Sequence, residues 1–294
     1  MPNGVIIIDK PQGWTSMDVC AKLRGMFHEK RVGHAGTLDP MATGVLPVFL
    51  GRATRAVEYA ADGAKEYHAV LRLGTVTDTQ DVTGTVLETR PVNLTAADIE
   101  AVLPRFRGDI EQIPPMYSAI KVGGQKLYDL ARKGREVERK PRPVTIHALE
   151  LGEQLSETDF RLRVECSKGT YIRTLCHDIG QALGCGATMA DLRRTCAAGY
   201  TLEQAVTLEQ VQAAEDPTVL LAGVDSCFAH LPALTLTPAQ SKCVRNGMAF
   251  TYPNEGEWRV YDPDGEFLAV CRTEEGKIHG LVLIRNLQAR IRIQ

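Results

Sequence analysis

The stretch GHAGTLDPMATGVLPVFLGRATR, residues 33–55, holds a single carboxylate in a glycine-rich loop, and the nearest cations are Arg52 and Arg55. Asp39 stands between Leu38 and Pro40, and a proline disfavours the α region for the residue before it. We therefore expect Asp39 on extended or turn backbone. An aspartate before proline is commonly a plain turn residue. Turn aspartates usually have polar neighbours, however, whereas apolar residues flank this one on both sides. Asp39 is thus a candidate for chemistry.

The composition is that of an ordinary globular protein, with 44% hydrophobic and 24% charged residues in a chain of 294. This length predicts one or two domains. The longest apolar runs fall far short of the roughly 18 residues that indicate a membrane span. The first residues show neither a charged leader nor a cleavable apolar segment. We therefore expect a cytoplasmic protein that has no contact with membranes.

The eight cysteines are scattered and form no C-x-x-C pair. Zinc sites usually show such paired short spacings. We interpret the cysteines as reduced thiols and expect no metal.

The distribution of charge is uneven although the net charge is only -2. Residues 121–142 hold eight Lys and Arg against three Asp and Glu, an excess of five positive charges. Such a basic segment could hold a phosphate backbone. It could equally be a solvated surface, and charge alone leaves the two interpretations about even.

Strand and helix signals mix along the chain without a regular βαβ alternation, which favours an α+β fold. GVIIIDKP (4–11) reads as a buried strand that is ended by Lys10-Pro11. A helix should follow Thr15, because Thr15 and Asp18 have capping-box spacing. Residues 65–90 read as two strands joined by a polar connection. A boundary is expected near 226–236, before a small and mostly β unit that opens with a short helix capped by Thr237.

Seven motifs resemble those of one enzyme family, in the family's order. The 33–55 stretch is similar to the catalytic motif of the TruB family of tRNA pseudouridine synthases. The other six are DKPQGWTS (9–16), KEYHAVLRLG (65–74), TDTQD (77–81), PPMYSAIKVGGQKLYDLARKG (114–134), CSKGTYIRTL (166–175) and LRRT (192–195).

The resemblance implies a fold and a domain organisation. The fold would be the α+β pseudouridine synthase fold, with a central mixed, mostly antiparallel sheet flanked by helices. Residues 1–228 would form the catalytic domain and 234–294 a small β-rich, PUA-like RNA-binding domain. The basic segment would be part of an RNA-gripping insertion near 114–142.

The resemblance also implies an activity, the isomerisation of the T-loop uridine at position 55 of tRNA to pseudouridine. The target base is flipped out, and its glycosidic bond is broken and re-formed through C5. Asp39 would act as nucleophile at either the sugar or the base, without metal or other cofactor.

Five further residues match substrate-binding positions of the family. Tyr67 would stack on the flipped uracil, and Tyr171 and Leu192 would line its pocket. Arg173 would pair with Asp39, and a guanidinium at about 4–6 Å would keep that carboxylate ionised. His34 would occupy the space that the base vacates.

The expected partner is the T-loop and stem of tRNA, bound by a monomer that needs no protein partner. The residues expected at the RNA backbone are Arg55, Lys121, Lys126, Arg132 and Lys133. Two alternatives stay open: a non-catalytic RNA-binding protein, and a guide-RNA-dependent synthase of the dyskerin kind.

Overall fold

The computed structural model describes residues 2–283. They form a large nine-stranded sheet with its helices, a second sheet of five strands and two small two-stranded sheets. The strands are β1 (Gly4–Lys10), β2 (Val32–His34), β3 (Thr43–Leu50), β4 (Lys65–Leu73), β5 (Thr75–Thr77), β6 (Val86–Thr89), β7 (Gly108–Gln112), β8 (Lys121–Val122), β9 (Gln125–Lys126), β10 (Arg142–Gln154), β11 (Asp159–Cys166), β12 (Ala187–Ala197), β13 (Tyr200–Thr201), β14 (Ala233–Thr235), β15 (Phe250–Thr251), β16 (Gly256–Tyr261), β17 (Phe267–Glu274) and β18 (Lys277–Leu283). The helices are α1 (Ser16–Phe27), α2 (Val57–Ala61), α3 (Ala96–Val102), α4 (Leu127–Ala131), α5 (Ile172–Ala182), α6 (Leu208–Ala213) and α7 (Pro238–Arg245).

The large sheet has nine strands, in the order β1-β3-β12-β4-β11-β10-β7, with β2 beside β3 and β13 beside β12. Its ladders are antiparallel except for the parallel pairing of β12 with β3. The mixed, mostly antiparallel sheet expected from the sequence is confirmed. The parallel pairing sets Arg194 opposite Gly44, so the LRRT segment lies directly beside the strand that follows Asp39.

The core lies between this sheet and helices α1, α3 and α5. In β4, every second side chain is buried, because successive residues of a strand point to opposite faces. Helix α1 begins as predicted: Thr15 is its N-cap and forms a capping box with Asp18. The apolar side of α5 (Ile172, Leu175, Cys176 and Ile179) is buried in the core and fixes the start of the helix near the sheet.

The prediction of two strands over residues 65–90 is wrong, because the segment forms three. Strand β4 stays in the large sheet, whereas β5 and β6 form a separate two-stranded sheet. Gly74 separates β4 from β5 with φ of +80°, and a Cβ there would lie 2.8 Å from the carbonyl oxygen of Arg90. Only glycine accommodates both conditions. The bend allows the 78–85 loop to reach the start of α5.

A second sheet, of order β14-β16-β17-β18-β15, begins at Ala233. It has the β-rich character expected of the C-terminal unit, and its helix α7 has the predicted N-cap Thr237. Phe228 joins the two parts, since its ring lies 5.2 Å from that of Tyr59 and 6.2 Å from that of Phe267. The limits 1–228 and 234–294 stay predictions, and residues 284–294 lie outside the described residues.

No helix within residues 2–283 combines the length and the apolar character needed to cross a membrane.

Candidate active site

Asp39 lies in the loop between β2 and β3, and the DKPQGWTS segment holds the residues on either side of it. Before Asp39, the Ser16 hydroxyl accepts a hydrogen bond from the Leu38 amide at 2.9 Å and lies 3.2 Å from the Leu38 carbonyl oxygen. After it, the Gly13 amide donates to the Pro40 carbonyl at 2.7 Å. The DKPQGWTS motif thus contacts the 33–55 motif and fixes its backbone on both sides of Asp39.

Lys10 also stabilises the turn at Asp39. Its fully buried side chain donates from Nζ to the carbonyls of Trp14 at 2.7 Å, Pro11 at 2.9 Å and Pro40 at 3.3 Å. Burial lowers the pKa of Lys10 to about 8, and the nearby charge of Asp39 opposes that shift. A cation therefore stands behind the Asp39 loop at neutral pH.

Arg173 forms an ion pair with Asp39, with 3.0 Å between its Nε and Oδ2 of the carboxylate. It lies in the first turn of α5 and is only 5% exposed. Its other two nitrogens donate to backbone carbonyls, Nη1 to Thr79 at 3.1 Å and Nη2 to Tyr117 at 3.0 Å. The guanidinium is therefore held in one orientation, with Nε aimed at Asp39.

A second carboxylate, Asp81, reaches the same guanidinium, with 3.6 Å between its Oδ2 and Nη1 of Arg173. Asp81 is buried, and its Oδ1 accepts hydrogen bonds from the hydroxyls of Thr79 and Thr83 and from the Thr83 amide. From the sequence, Asp81 falls in the polar connection and in the TDTQD motif, but no role is predicted for it. The available signal was an aspartate flanked by threonines at positions two before and two after it.

The pKa of Asp39 is raised above its ordinary value, first because the site is buried. The charge of Arg173 acts in the opposite direction, Asp81 raises the pKa further and Lys10 lowers it. The side chain is still 38% exposed, because one side of the carboxylate opens into a pocket.

That pocket has a volume of about 100 Å³, far smaller than the roughly 300–1,000 Å³ of drug-sized ligand sites. It therefore suits a single small ring. Its lining is Thr37, Leu38, Asp39, Tyr67, Thr170, Tyr171, Ile172, Arg173 and Leu192. The structure thus brings together five of the six residues predicted at the uridine site: Asp39, Tyr67, Tyr171, Arg173 and Leu192.

Gln112 positions Tyr171, and sequence reasoning did not identify it. Its buried side-chain amide accepts from the Tyr171 amide at 3.0 Å and donates to the Tyr171 carbonyl at 3.2 Å. Gln112 ends β7, at the far edge of the large sheet. No local pattern links the two residues, because only the fold brings β7 to the start of α5.

A larger cleft of about 750 Å³ adjoins the small pocket and shares four lining residues with it. The shared residues are Thr37, Tyr67, Thr170 and Tyr171. Lys168 and Arg142 stand along this cleft, and Lys168 pairs with Asp62 at 2.7 Å. The cleft offers room and positive charge for a chain attached to the ring in the pocket.

The other predicted site residues lie outside the pocket. His34 ends β2, where burial lowers its pKa and Nδ1 has no hydrogen-bond partner within residues 2–283. Arg55 lines a separate cavity of about 540 Å³ beside Lys30 and Arg31. The insertion forms β8, β9 and α4, in which Lys121 and Lys133 are exposed, Lys126 lies in β9, and the Arg132 guanidinium stands 5.4 Å from the Tyr128 ring. The roles of all these residues stay predictions.

Metal ligands do not converge in residues 2–283, since no three His, Cys, Asp or Glu side chains there form a group that could hold an ion.

Asp81→Asn should slow the isomerisation expected from the sequence motifs about 10- to 100-fold. The variant would let Arg173 and Asp39 shift, and a displacement of about 1 Å in a reacting group can lower a rate 10²-fold. The variant keeps the size of the side chain but weakens its hold on Arg173. Because the Asp81 charge raises the pKa of Asp39, the acid limb of the rate profile should also move to lower pH. Single-turnover rates between about pH 5 and 8 measure both effects.

Asp78→Asn is the matched control, since Asp78 lies in the same loop but is exposed and accepts from the Thr85 amide at 2.7 Å. Equal losses in the two variants would assign the effect to the loop and not to the Asp81–Arg173 pair.

Comparison with known proteins assigns the family. The model of the "TruB family pseudouridylate synthase (N terminal domain)" matches residues 24–172, and that of the "tRNA pseudouridylate synthase B C-terminal domain" matches residues 173–222. Proteins named tRNA pseudouridine synthase B from Stutzerimonas stutzeri (strain A1501) and Pseudomonas fluorescens (strain Pf0-1) are each 47% identical over 97% of this chain and 96% of their own.

Solved structures agree on the fold. A chain in the crystal structure of a Cbf5-Nop10-Gar1 complex superposes with a TM-score of 0.73 at 26% identity, over 96% of this chain and 85% of that one. A chain of the archaeal box H/ACA sRNP Nop10-Cbf5 complex gives 0.71 at 27% identity, over 97% and 86%. These matches confirm the expected pseudouridine synthase fold. Together, the matching models and the extent of the identity show that this chain belongs to the TruB family of pseudouridylate synthases.

Proposed function

We propose that this chain is a stand-alone tRNA pseudouridine synthase that isomerises the T-loop uridine at position 55, with Asp39 as its nucleophile. One observation carries the proposal: Asp39 lies 3.0 Å from a buried arginine, on the wall of a pocket sized for one ring and lined by Tyr67 and Tyr171. The names and the 47% identity of the tRNA pseudouridine synthase B relatives support tRNA as the substrate.

The chemistry needs one carboxylate. Attack by Asp39 on the ribose or on the uracil ring leads to cleavage of the N1–C1′ bond while the base stays in the pocket. The base then turns, C5 bonds to C1′ and the bond to Asp39 breaks. The hydrogen on C5 leaves as a proton, and N1 takes up a proton. The product is an isomer of the substrate and no water is consumed, so no second carboxylate has to activate water. The contacts of Asp81 fit this scheme, since threonines and Arg173 occupy them.

The position of Asp39 on the wall of a pocket sized for one ring requires that the target base be flipped out of the RNA. A uridine stacked in a folded RNA loop must leave its stack to meet Asp39, at a cost of a few kcal/mol. Stacking on an aromatic side chain returns roughly 1–3 kcal/mol per base. Tyr67 supplies that surface, Tyr171 and Leu192 complete the pocket wall, and His34 takes the place of the base in the RNA.

The insertion supplies contacts to the RNA backbone through Lys121, Lys126, Arg132 and Lys133, and Arg55 adds a contact on another face. We propose that the protein does this in the cytoplasm, as a monomer and without a protein partner. Analytical ultracentrifugation with and without tRNA tests the proposed stoichiometry of one protein to one tRNA.

The proposed contacts of the insertion with the RNA backbone predict a change in the salt dependence of tRNA binding. A triple variant, Lys121→Gln, Arg132→Gln and Lys133→Gln, should weaken tRNA binding and lower the slope of log K against log salt by about 2, since each lost phosphate contact removes about 0.7–0.9. The rate at saturating tRNA should stay unchanged. Filter binding at several salt concentrations gives the slope.

A control variant removes three other exposed cations, Lys22, Arg105 and Arg161, each as Gln. An equal fall in slope for this control would contradict a specific role for the insertion.

The function is tested by following tritium release from C5-labelled, unmodified tRNA transcript, without guide RNA and without other proteins. Release of one tritium per tRNA, lost when the T-loop uridine is replaced by cytidine, is the expected result. Release only after a guide RNA is added would favour the guide-dependent alternative. Tight tRNA binding without release under either condition would favour a non-catalytic RNA-binding protein.

A further inference from the structure

Arg194 joins the two ends of the catalytic loop. It lies on β12 and its side chain is fully buried. Its Nε donates to the carbonyl of Val45 at 2.8 Å, and its Nη2 donates to the carbonyl of Gly36 at 3.0 Å. Asp39 lies between these two acceptors in the chain. One guanidinium thus holds both the entry to the Asp39 loop and its exit.

The charge of Arg194 has no carboxylate to balance it among its hydrogen-bond acceptors. Its third nitrogen, Nη1, is buried and has no hydrogen-bond partner within residues 2–283. Removing an ion from water is unfavourable even after the protein relaxes, and pairing normally offsets that cost. An apolar side chain would fill the same space without this cost. An arginine here therefore points to a function other than filling the core.

The loop is fitted closely to this arginine. Gly36 has φ of +90°, and a Cβ on it would lie 3.3 Å from Nη1 of Arg194. Gly44 has φ of +102°, and a Cβ on it would lie 2.2 Å from the carbonyl oxygen of Arg194. Both glycines are therefore required for the loop backbone to approach β12 this closely. The loop cannot shift along β12 without breaking these contacts.

The guanidinium also acts on groups around the site. It lowers the pKa of Tyr67, against the larger effect of burial, and adds to burial in lowering the pKa values of His34 and Lys65. The same side chain that holds the Asp39 loop thus lies close to the tyrosine expected to stack on the base.

We propose that Arg194 is a positioning residue for the isomerisation, which fixes the 36–45 loop on β12 and thereby keeps Asp39 aligned with Arg173. Arg194 acts through the loop, because its fully buried side chain lies behind the wall of the larger cleft. The inference rests on the proposed function, because the rate that it concerns is that of the proposed reaction.

The test compares Arg194→Lys and Arg194→Met with wild type in single-turnover tritium release at saturating tRNA. A lysine retains the charge, but its one nitrogen on a flexible stem cannot reproduce the fork that holds two separate carbonyls. We expect both variants to lose about 10²-fold in rate, with tRNA affinity within about twofold of wild type. Hydrogen exchange of the 36–45 amides should accelerate in Arg194→Lys, while the other strands of the sheet keep their protection.

Arg72→Met is the matched control, because this arginine lies on the neighbouring strand β4 but pairs with Asp159 at 2.7 Å and not with the 36–45 loop. It should keep a rate within about threefold of wild type, as a change outside the loop should. A wild-type rate in Arg194→Lys would overturn the inference, since the charge alone would then suffice. Equal losses of affinity, rate and sheet-wide protection would also overturn it, in favour of a purely structural role.

Failure of the inference and failure of the proposed function are distinguishable. A wild-type protein that releases no tritium from tRNA would contradict the proposed function. An active wild type with an equally active Arg194→Lys would contradict only the role of Arg194. If Arg194→Met does not fold, Arg194→Lys and its hydrogen exchange still decide the question.

Discussion

Asp39→Asn is expected to abolish tritium release from tRNA, by about 10⁴-fold or more, while tRNA affinity stays within about twofold of wild type. Asparagine keeps the size and most contacts of the side chain, but its neutral amide cannot act as the nucleophile. The substitution leaves the rest of the pocket, the larger cleft and the insertion unchanged, so the RNA should still bind. Single-turnover release and filter binding on the same protein preparation measure the two quantities.

The same variant should unfold at an equal or higher temperature than wild type at pH 7. The pKa of Asp39 is raised in the folded protein, mainly by burial. A carboxyl group whose pKa is raised by folding lowers the stability as the pH rises through that window, and the loss persists at neutral pH. Asparagine removes this cost. Thermal unfolding monitored by circular dichroism gives the comparison.

Asp109→Asn is a control for the loss of one carboxylate elsewhere, since Asp109 is exposed and accepts from the Thr145 hydroxyl at 2.7 Å. It should leave rate and binding unchanged. Loss of tRNA binding in parallel with loss of product in Asp39→Asn would undermine the role of Asp39 as nucleophile.

Arg173→Met is expected to lower the rate by about 10³-fold at pH 7 and to change its dependence on pH. The positive charge of Arg173 lowers the pKa of Asp39 against the effects of burial and of Asp81. Without it, that pKa rises further, so a smaller fraction of Asp39 is ionised at neutral pH. The rate should therefore recover in part as the pH increases. Single-turnover rates between about pH 6 and 9 test the direction.

The folding stability of Arg173→Met should depend on pH in the direction opposite to its rate. The variant leaves Asp39 and the buried Asp81 near each other without their cation, and removing one partner of a buried ion pair destabilises a protein because it leaves an uncompensated charge. Protonation of the two carboxylates relieves this repulsion. Arg173→Met should therefore regain stability as the pH falls and lose it as the pH rises through the raised pKa of Asp39.

Arg163→Met separates this effect from a general loss of arginine. Arg163 pairs with Glu66 and Glu150 on the face of the sheet, where its side chain is 36% exposed. Exposed ion pairs contribute about 0–1 kcal/mol, so this variant should behave like wild type. An unchanged pH profile in Arg173→Met would show that Arg173 does not set the ionisation of Asp39.

Local structure was predictable where the signal lies within one element. Thr15 and Asp18 predict the start of α1 because capping pairs a side chain with an amide three residues away. The strand predicted over GVIIIDKP is confirmed as β1, which ends at Lys10 before the proline. The error over residues 65–90 came from Gly74, whose positive φ turns the chain out of the sheet between two segments of equally strand-like composition.

The sequence by itself thus determined the family, the α+β class and the rigid turn at Asp39, because motif order, periodicity and the proline restriction act over short stretches of chain. Only the tertiary structure decided which groups surround that aspartate. Asp81 shares Arg173 with it, Gln112 fixes Tyr171, and Arg194 holds Gly36 and Val45. Each of these contacts joins residues far apart in the chain. They depend on the order and register of the strands, and no short-range pattern of residues carries that information.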